Sequence, residues 1–70
     1  MKVSYDRETD ILNIVLRKAR IDESDEVNPG VILDLDRRGN VIGIEILDAS
    51  KRVQNLGSVQ SESLARKSPR

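Results

Sequence analysis

The densest group of side chains able to do chemistry in this 70-residue sequence is a set of three carboxylates, Asp34, Asp36 and Glu45. They sit in two strand-like segments that face each other across Arg37-Arg38-Gly39-Asn40. Because alternate strand residues point to opposite faces, Asp34 and Asp36 fall on one face, with Glu45 one diagonal step from Asp34. Three carboxylates in reach of one another could hold Mg²⁺ or Ca²⁺, both of which prefer oxygen ligands. The simpler reading is a solvated outer face, since antiparallel sheets routinely keep one face polar. That reading takes precedence, and neither a metal site nor a cofactor is expected.

Other candidates are weaker. Asp22-Glu-Ser-Asp-Glu26 lacks the glycine and ligand spacing of a calcium loop. It suits a solubilising edge, or an electrostatic handle for a basic partner. Cysteine and histidine are absent, which removes the usual ligands of structural zinc and the commonest nucleophiles and bases. The one Ser-Lys neighbour pair, Ser50-Lys51, would point in different directions on a helix and cannot form a proton-transfer dyad. Tyr5 alternates with core positions, its hydroxyl at the rim. No glycine-rich phosphate loop is present. An enzyme is not expected.

Charge is uneven although it sums to zero. Residues 1–50 carry 7 basic and 11 acidic side chains, whereas residues 51–70 carry 5 basic and 1 acidic. The basic set Lys51, Arg52, Arg66, Lys67 and Arg70 could give salt-dependent, non-specific affinity for nucleic acid. No recognition helix accompanies it, and a single aromatic residue leaves no base-stacking platform. A solvated tail is the plainer expectation.

The elements that must position these groups follow from periodicity. Lys2–Tyr5 and Ile11–Leu16 alternate as strands. A four-residue loop, Arg7 to Asp10, sets Tyr5 opposite Leu12 and Val3 opposite Ile14, gathering the apolar residues on one face. For residues 31–47, a four-residue loop Arg37–Asn40 pairs Leu35 with Ile42, Leu33 with Ile44 and Val31 with Ile46. A three-residue loop with a glycine bulge would instead pair Leu33 with Gly43 and Asp34 with Ile42. Burial favours the former, with Gly39 and Asn40 taking positive φ. The two hairpins read alike around their turns. Between them, Ala19–Ser24 suits a short edge strand and Asn28-Pro29-Gly30 a turn. After Leu47 the signals turn helical, with Asp48 as N-cap, Ala49, Val53 and Leu56 on one face, and Gly57 at the C-terminal cap.

Four blocks carry a family resemblance: Tyr5-Asp6; Asp10-x-Leu12-x-Ile14; Glu26-Val27-x-Pro29-Gly30-Val31; and Gly43-Ile-Glu-Ile-Leu-x-Ala49-Ser50. In order and spacing, over about residues 1–52, the chain resembles the bacterial family called domain of unknown function 2283. Asn13 departs from the pattern, which commonly has an aromatic residue there. The resemblance implies a stand-alone chain without an assigned activity, and some members resemble antitoxin partners of small toxin-like proteins.

The expected fold is α+β: an antiparallel sheet of four to five strands made of two β-hairpins, with one short C-terminal helix. Residues 1–57 form the domain and 58–70 a basic, Ser-rich tail. The inner face would hold Val3, Tyr5, Leu12, Ile14, Leu16, Val31, Leu33, Leu35, Ile42, Ile44 and Ile46. One helix presenting Ala49, Val53 and Leu56 cannot cover eleven such residues, and Ile11, Val15, Ile32, Val41 and Leu47 make the other face partly apolar too. An uncovered apolar face of this size implies an interface. Interface candidates are Leu33, Leu35, Ile42, Ile44, Ile46, Val53 and Leu56. The expected function is a non-enzymatic protein-interaction module, as a homo-oligomer or the antitoxin-like subunit of a small complex. The alternative is nucleic-acid binding through the basic tail. Neither an apolar leader nor a segment of membrane-spanning length occurs, which predicts a cytoplasmic protein with no membrane partner.

Overall fold

Turn chemistry decides how these strands meet. The computed structural model describes residues 1–59. Its strands are β1 (Lys2–Asp6), β2 (Ile11–Val15), β3 (Glu23–Asn28), β4 (Val31–Leu35) and β5 (Val41–Leu47). They form one fully antiparallel sheet in the order β1-β2-β5-β4-β3. The β1–β2 hairpin has the register that alternation demands, Tyr5 against Leu12 and Val3 against Ile14. The two hairpins join through β2 and β5, which set Leu12 against Ile46 and Ile14 against Ile44. Residues directly opposite share a face, so Val3, Tyr5, Leu12, Ile14, Val31, Leu33, Ile44 and Ile46 line one surface.

The β4–β5 turn differs from the expected four-residue loop. Asp36 N–H donates to the Asn40 carbonyl at 3.0 Å, closing a three-residue loop with Gly39 at φ 85°. Asn40 does not take positive φ. That loop pairs Leu35 with Val41 rather than Ile42. The register then shifts, so that Ile42 is an extra residue on β5 and Asp34 faces Gly43. The bulge absorbs the one-residue offset, and Leu33–Ile44 and Val31–Ile46 pair as burial requires.

The bulged residue also steers the next connection. The Ile42 carbonyl accepts the N–H groups of Leu16 at 2.9 Å and Arg17 at 3.2 Å, turning the chain out of β2. Residues 16–22 then cross the end of the sheet, and Asp22 N–H reaches the Leu35 carbonyl at 2.8 Å. The expected edge strand Ala19–Ser24 therefore lies four residues later, at Glu23–Asn28. The reason is the turn beyond it. Pro29-Gly30, with Gly30 at φ 80°, joins Asn28 to Val31, and counting back from there pairs Glu23 with Leu35. Val27 is left over as a second bulge.

After β5 the expected regular helix gives way to a 3-10 turn, Ala49–Lys51. Asp48 precedes it at φ 52° and makes no side-chain cap, so its predicted capping role fails. Asn55, at φ 62°, interrupts the next turn, and residues 56–59 are helical. Gly57 thus sits within helical residues instead of ending them. Of the basic tail expected over 58–70, residues 60–70 lie outside the described chain.

Among the described residues, only Leu12, Ile42 and Ala49 are buried apolar residues. Val3, Tyr5, Ile14, Val31, Leu33, Leu35, Ile44, Ile46, Val53 and Leu56 are half-buried, while Leu16 is 41% exposed, having left the strand. The radius of gyration, 12.8 Å, exceeds the ~10–11 Å expected of a compact chain of this size. The sheet is flat, with extents of 37 × 29 × 17 Å.

Candidate functional site

Two acidic centres organise the sheet. The first is Asp10, the last residue of the β1–β2 loop, held at φ 57°. Its Oδ1 accepts the Tyr5 hydroxyl at 2.6 Å and the Ser50 N–H at 2.9 Å, and its Oδ2 accepts the Ser50 hydroxyl at 2.7 Å. Its backbone carbonyl takes the Ala49 N–H at 3.0 Å. Asp10 therefore supplies, from 40 residues away, the cap that Asp48 does not give the 3-10 turn. The Tyr5 and Ser50 hydroxyls hold its carboxyl below the ordinary carboxylate range, and the same bond raises the Tyr5 phenol. A carboxylate so stabilised is a weak base. Ser50 gains no activation from it, and the phenol is poorly placed to trade protons near neutrality.

The second centre lies on the opposite face of the sheet. Asp34, expected on a solvated face, is only 5% exposed. Its Oδ1 accepts the Ser24 hydroxyl at 2.7 Å, and its carboxyl shares a hydrogen bond with Glu45 on β5. Two carboxyls can bond only by sharing a proton. The bond to Asp34, then desolvation, then the Asp34 charge raise the Glu45 carboxyl. Gly43 makes the room: a Cβ there would stand 3.2 Å from Asp34 Oδ2.

Asp36 does not join this pair. Its Oδ1 accepts the N–H groups of Arg38 and Asn40, both at 2.9 Å, and its Oδ2 takes the Asn40 amide at 3.2 Å. Those bonds, led by the Asn40 N–H, lower its carboxyl. The constellation expected from sequence thus splits into a turn cap and a carboxyl pair. Among the described residues, no group of three or more Asp or Glu side chains is placed to hold a metal ion.

The third block of the resemblance is also tied together. Glu26 accepts the Gly30 N–H at 2.8 Å, and the Gly30 carbonyl accepts the Leu47 N–H at 2.8 Å. Arg52 donates to the Pro29 carbonyl and lies 3.0 Å from where a Gly30 Cβ would be. A family model described as Protein of unknown function (DUF2283) matches residues 2–50. The chain belongs to this family. In this DUF2283 chain, Tyr5, Asp10, Ala49 and Ser50 form one hydrogen-bonded knot. Glu26, Pro29 and Gly30 form another, which closes β3 onto β4. No curated protein and no solved structure matches the chain. Among the described residues, no helix is long and apolar enough to cross a membrane.

The interface candidates lie where the strands put them. Leu33, Ile44 and Ile46 share the apolar surface, with Leu35 at its end. Ile42 is 2% exposed and already serves the interior. Val53 and Leu56, half-buried, follow the 3-10 turn. Sequence reasoning missed Asp10, because no local pattern reveals a cap supplied across 40 residues. The only hint was that Tyr5, Asp10 and Ser50 all fall in the family blocks.

Proposed function

We propose that this chain is a non-enzymatic protein–protein interaction module whose contact surface is the apolar face of its sheet. One observation carries the reading: eight apolar residues paired across four strands share a surface on which Leu12 alone is buried. Burying such area is worth about 25 cal/mol per Å², and a small chain without disulfides gains that stability from a partner. Glu23 and Asp25 on β3, opposite Leu35 and Leu33, give one rim of the surface an acidic edge. An apolar centre with a charged rim is the usual anatomy of a specific interface. The occupant is a second copy or a small protein partner, and the antitoxin-like role implied by the resemblance is one form of it.

Size-exclusion chromatography with light scattering tests this on the full chain. A dimer or larger species at micromolar concentration, reduced to monomer by Ile44→Glu, is the expected outcome. A wild-type monomer that binds no apolar dye would sink the proposal.

A further inference from the structure

A second surface lies away from the apolar face, at the end of the sheet where the 16–22 crossover meets the β4–β5 turn. Residues 1–50 contain seven Lys and Arg side chains, and the fold brings five of them to this end. Arg17, Lys18 and Arg20 come from the crossover, and Arg37 and Arg38 from the turn. The hydrogen bonds of Arg17 N–H to Ile42 and of Asp22 N–H to Leu35 fix the crossover beside the turn. An open groove of 530 Å³ lies between them, lined by Ala19, Arg20, Asp22, Asp36, Arg37 and Arg38. All five cations are exposed. None of their side chains makes a close ion pair or hydrogen bond among the described residues, although Arg17 is near enough to Asp36 to help lower its carboxyl. Of the two acids in the groove, Asp36 already has its oxygens bonded to Arg38 N–H and Asn40.

Five exposed cations gathered from segments about 20 residues apart, in a chain of zero net charge, call for an anionic partner. The lining decides which kind. Protein contacts need a desolvated apolar anchor; Ala19 is the only apolar side chain lining the groove, and the exposed Ile21 belongs to a neighbouring pocket beside Arg17 and Lys18. Binding to a phosphate backbone runs on charge and counterion release alone. Four of the five are arginines, whose guanidinium fork matches phosphate oxygens. We propose that the end of the sheet formed by Arg17, Lys18, Arg20, Arg37 and Arg38 binds the phosphate backbone of a nucleic acid without sequence preference. Asp22 in the groove and Glu23 and Asp25 on the adjoining β3 edge confine the contact to this end, so it spans only a few phosphates. The surface is separate from the apolar face and uses no residue beyond 59.

Fluorescence anisotropy with a mixed-sequence DNA duplex, over a salt series from 50 to 200 mM, tests the assignment on the full-length protein. Five phosphate contacts give a log–log salt slope of about −4.5, and Arg37→Gln with Arg38→Gln should reduce it by about 2 and weaken binding by roughly tenfold or more at low salt. Substituting Arg66, Lys67 and Arg70 with Gln should leave most of the binding in place. Glu23→Gln with Asp25→Asn should tighten it. Absence of binding at 50 mM salt would overturn the proposal. So would affinity lost with the Arg66, Lys67 and Arg70 substitutions but kept without Arg37 and Arg38. Equal affinity for a polyglutamate peptide would reassign the surface to an acidic protein and overturn it as well.

Discussion

Asp10 and the Asp34–Glu45 pair are both clusters of acid on one small sheet, yet they hold charge in opposite ways. Asp10 is surrounded by donors: two hydroxyls and one N–H meet its two oxygens. Its charged form is the favoured one. Asp34 and Glu45 face each other with a single hydroxyl donor, Ser24, and neither is paired with a cation among the described residues. The Glu45 carboxyl is raised by this shortage of donors. The difference teaches that acidity here is set by the supply of donors, which local sequence does not display. A loop Asp became a structural anion, and a strand Asp became a buried neighbour that raises Glu45.

Three substitutions test that contrast, beginning with the largest effect. Asp10→Ala leaves the Ser50 N–H and two hydroxyls without their acceptor and unties the 3-10 turn from the β1–β2 loop. A fall in melting temperature of roughly 5–10 °C is expected. A change under about 2 °C would mean the knot is ornamental. Asp10 also predicts an acid limb. Its lowered carboxyl contributes stability that is present above the ordinary carboxylate value of 3.8 and is lost as pH falls through its depressed value. Asp10→Ala should flatten that limb.

Gly43→Ala comes next. The new methyl meets Asp34 Oδ2 at 3.2 Å and the Ile14 carbonyl at 3.4 Å, while Ser24 holds Asp34 in place. Chemical denaturation should show a loss of about 1 kcal/mol, against the gain that replacing a strand glycine ordinarily brings. A stabilised variant would show that Asp34 can move.

Glu45→Gln is the smallest and has the opposite pH signature. The raised Glu45 carboxyl contributes stability that is complete below its unfolded value of 4.5 and declines as pH rises through its folded value. The amide cannot ionise and still donates to Asp34. The variant should therefore lose the decline above pH 4.5 and gain less than about 1 kcal/mol at neutral pH. Identical melting profiles for variant and wild type between pH 4 and 8 would break the contrast between the two centres.

How much of this was readable beforehand depends on the range of the interaction. The β1–β2 register was legible, because Val3, Tyr5, Leu12 and Ile14 admit one pairing that buries all four. Membership of DUF2283 was legible from four short blocks. The β4–β5 turn was half legible: Gly39 announced a positive-φ residue, but the choice between two loop lengths hid a third solution, the short loop with a bulge at Ile42. That bulge broke the expected Leu35–Ile42 pair while keeping the burial that motivated it. A short helix after Leu47 was legible, but its cap and extent were not, because Asp48 and Asn55 adopt left-handed conformations that a hydrophobic stripe does not report. The five-cation end was invisible, since the crossover that brings Arg20 beside Arg37 and Arg38 has no local signal.

The strand order carries a consequence for the chain while it is being made. β5 lies in the middle of the sheet although it is the last of the described strands to be synthesised, and among the described residues it is the bridge between the β1–β2 hairpin and the β3–β4 hairpin. Until Val41 to Leu47 have left the ribosome, the two halves present open edges toward each other with nothing to fill the gap. Only then can the sheet be completed, with Ile44 between Ile14 and Leu33.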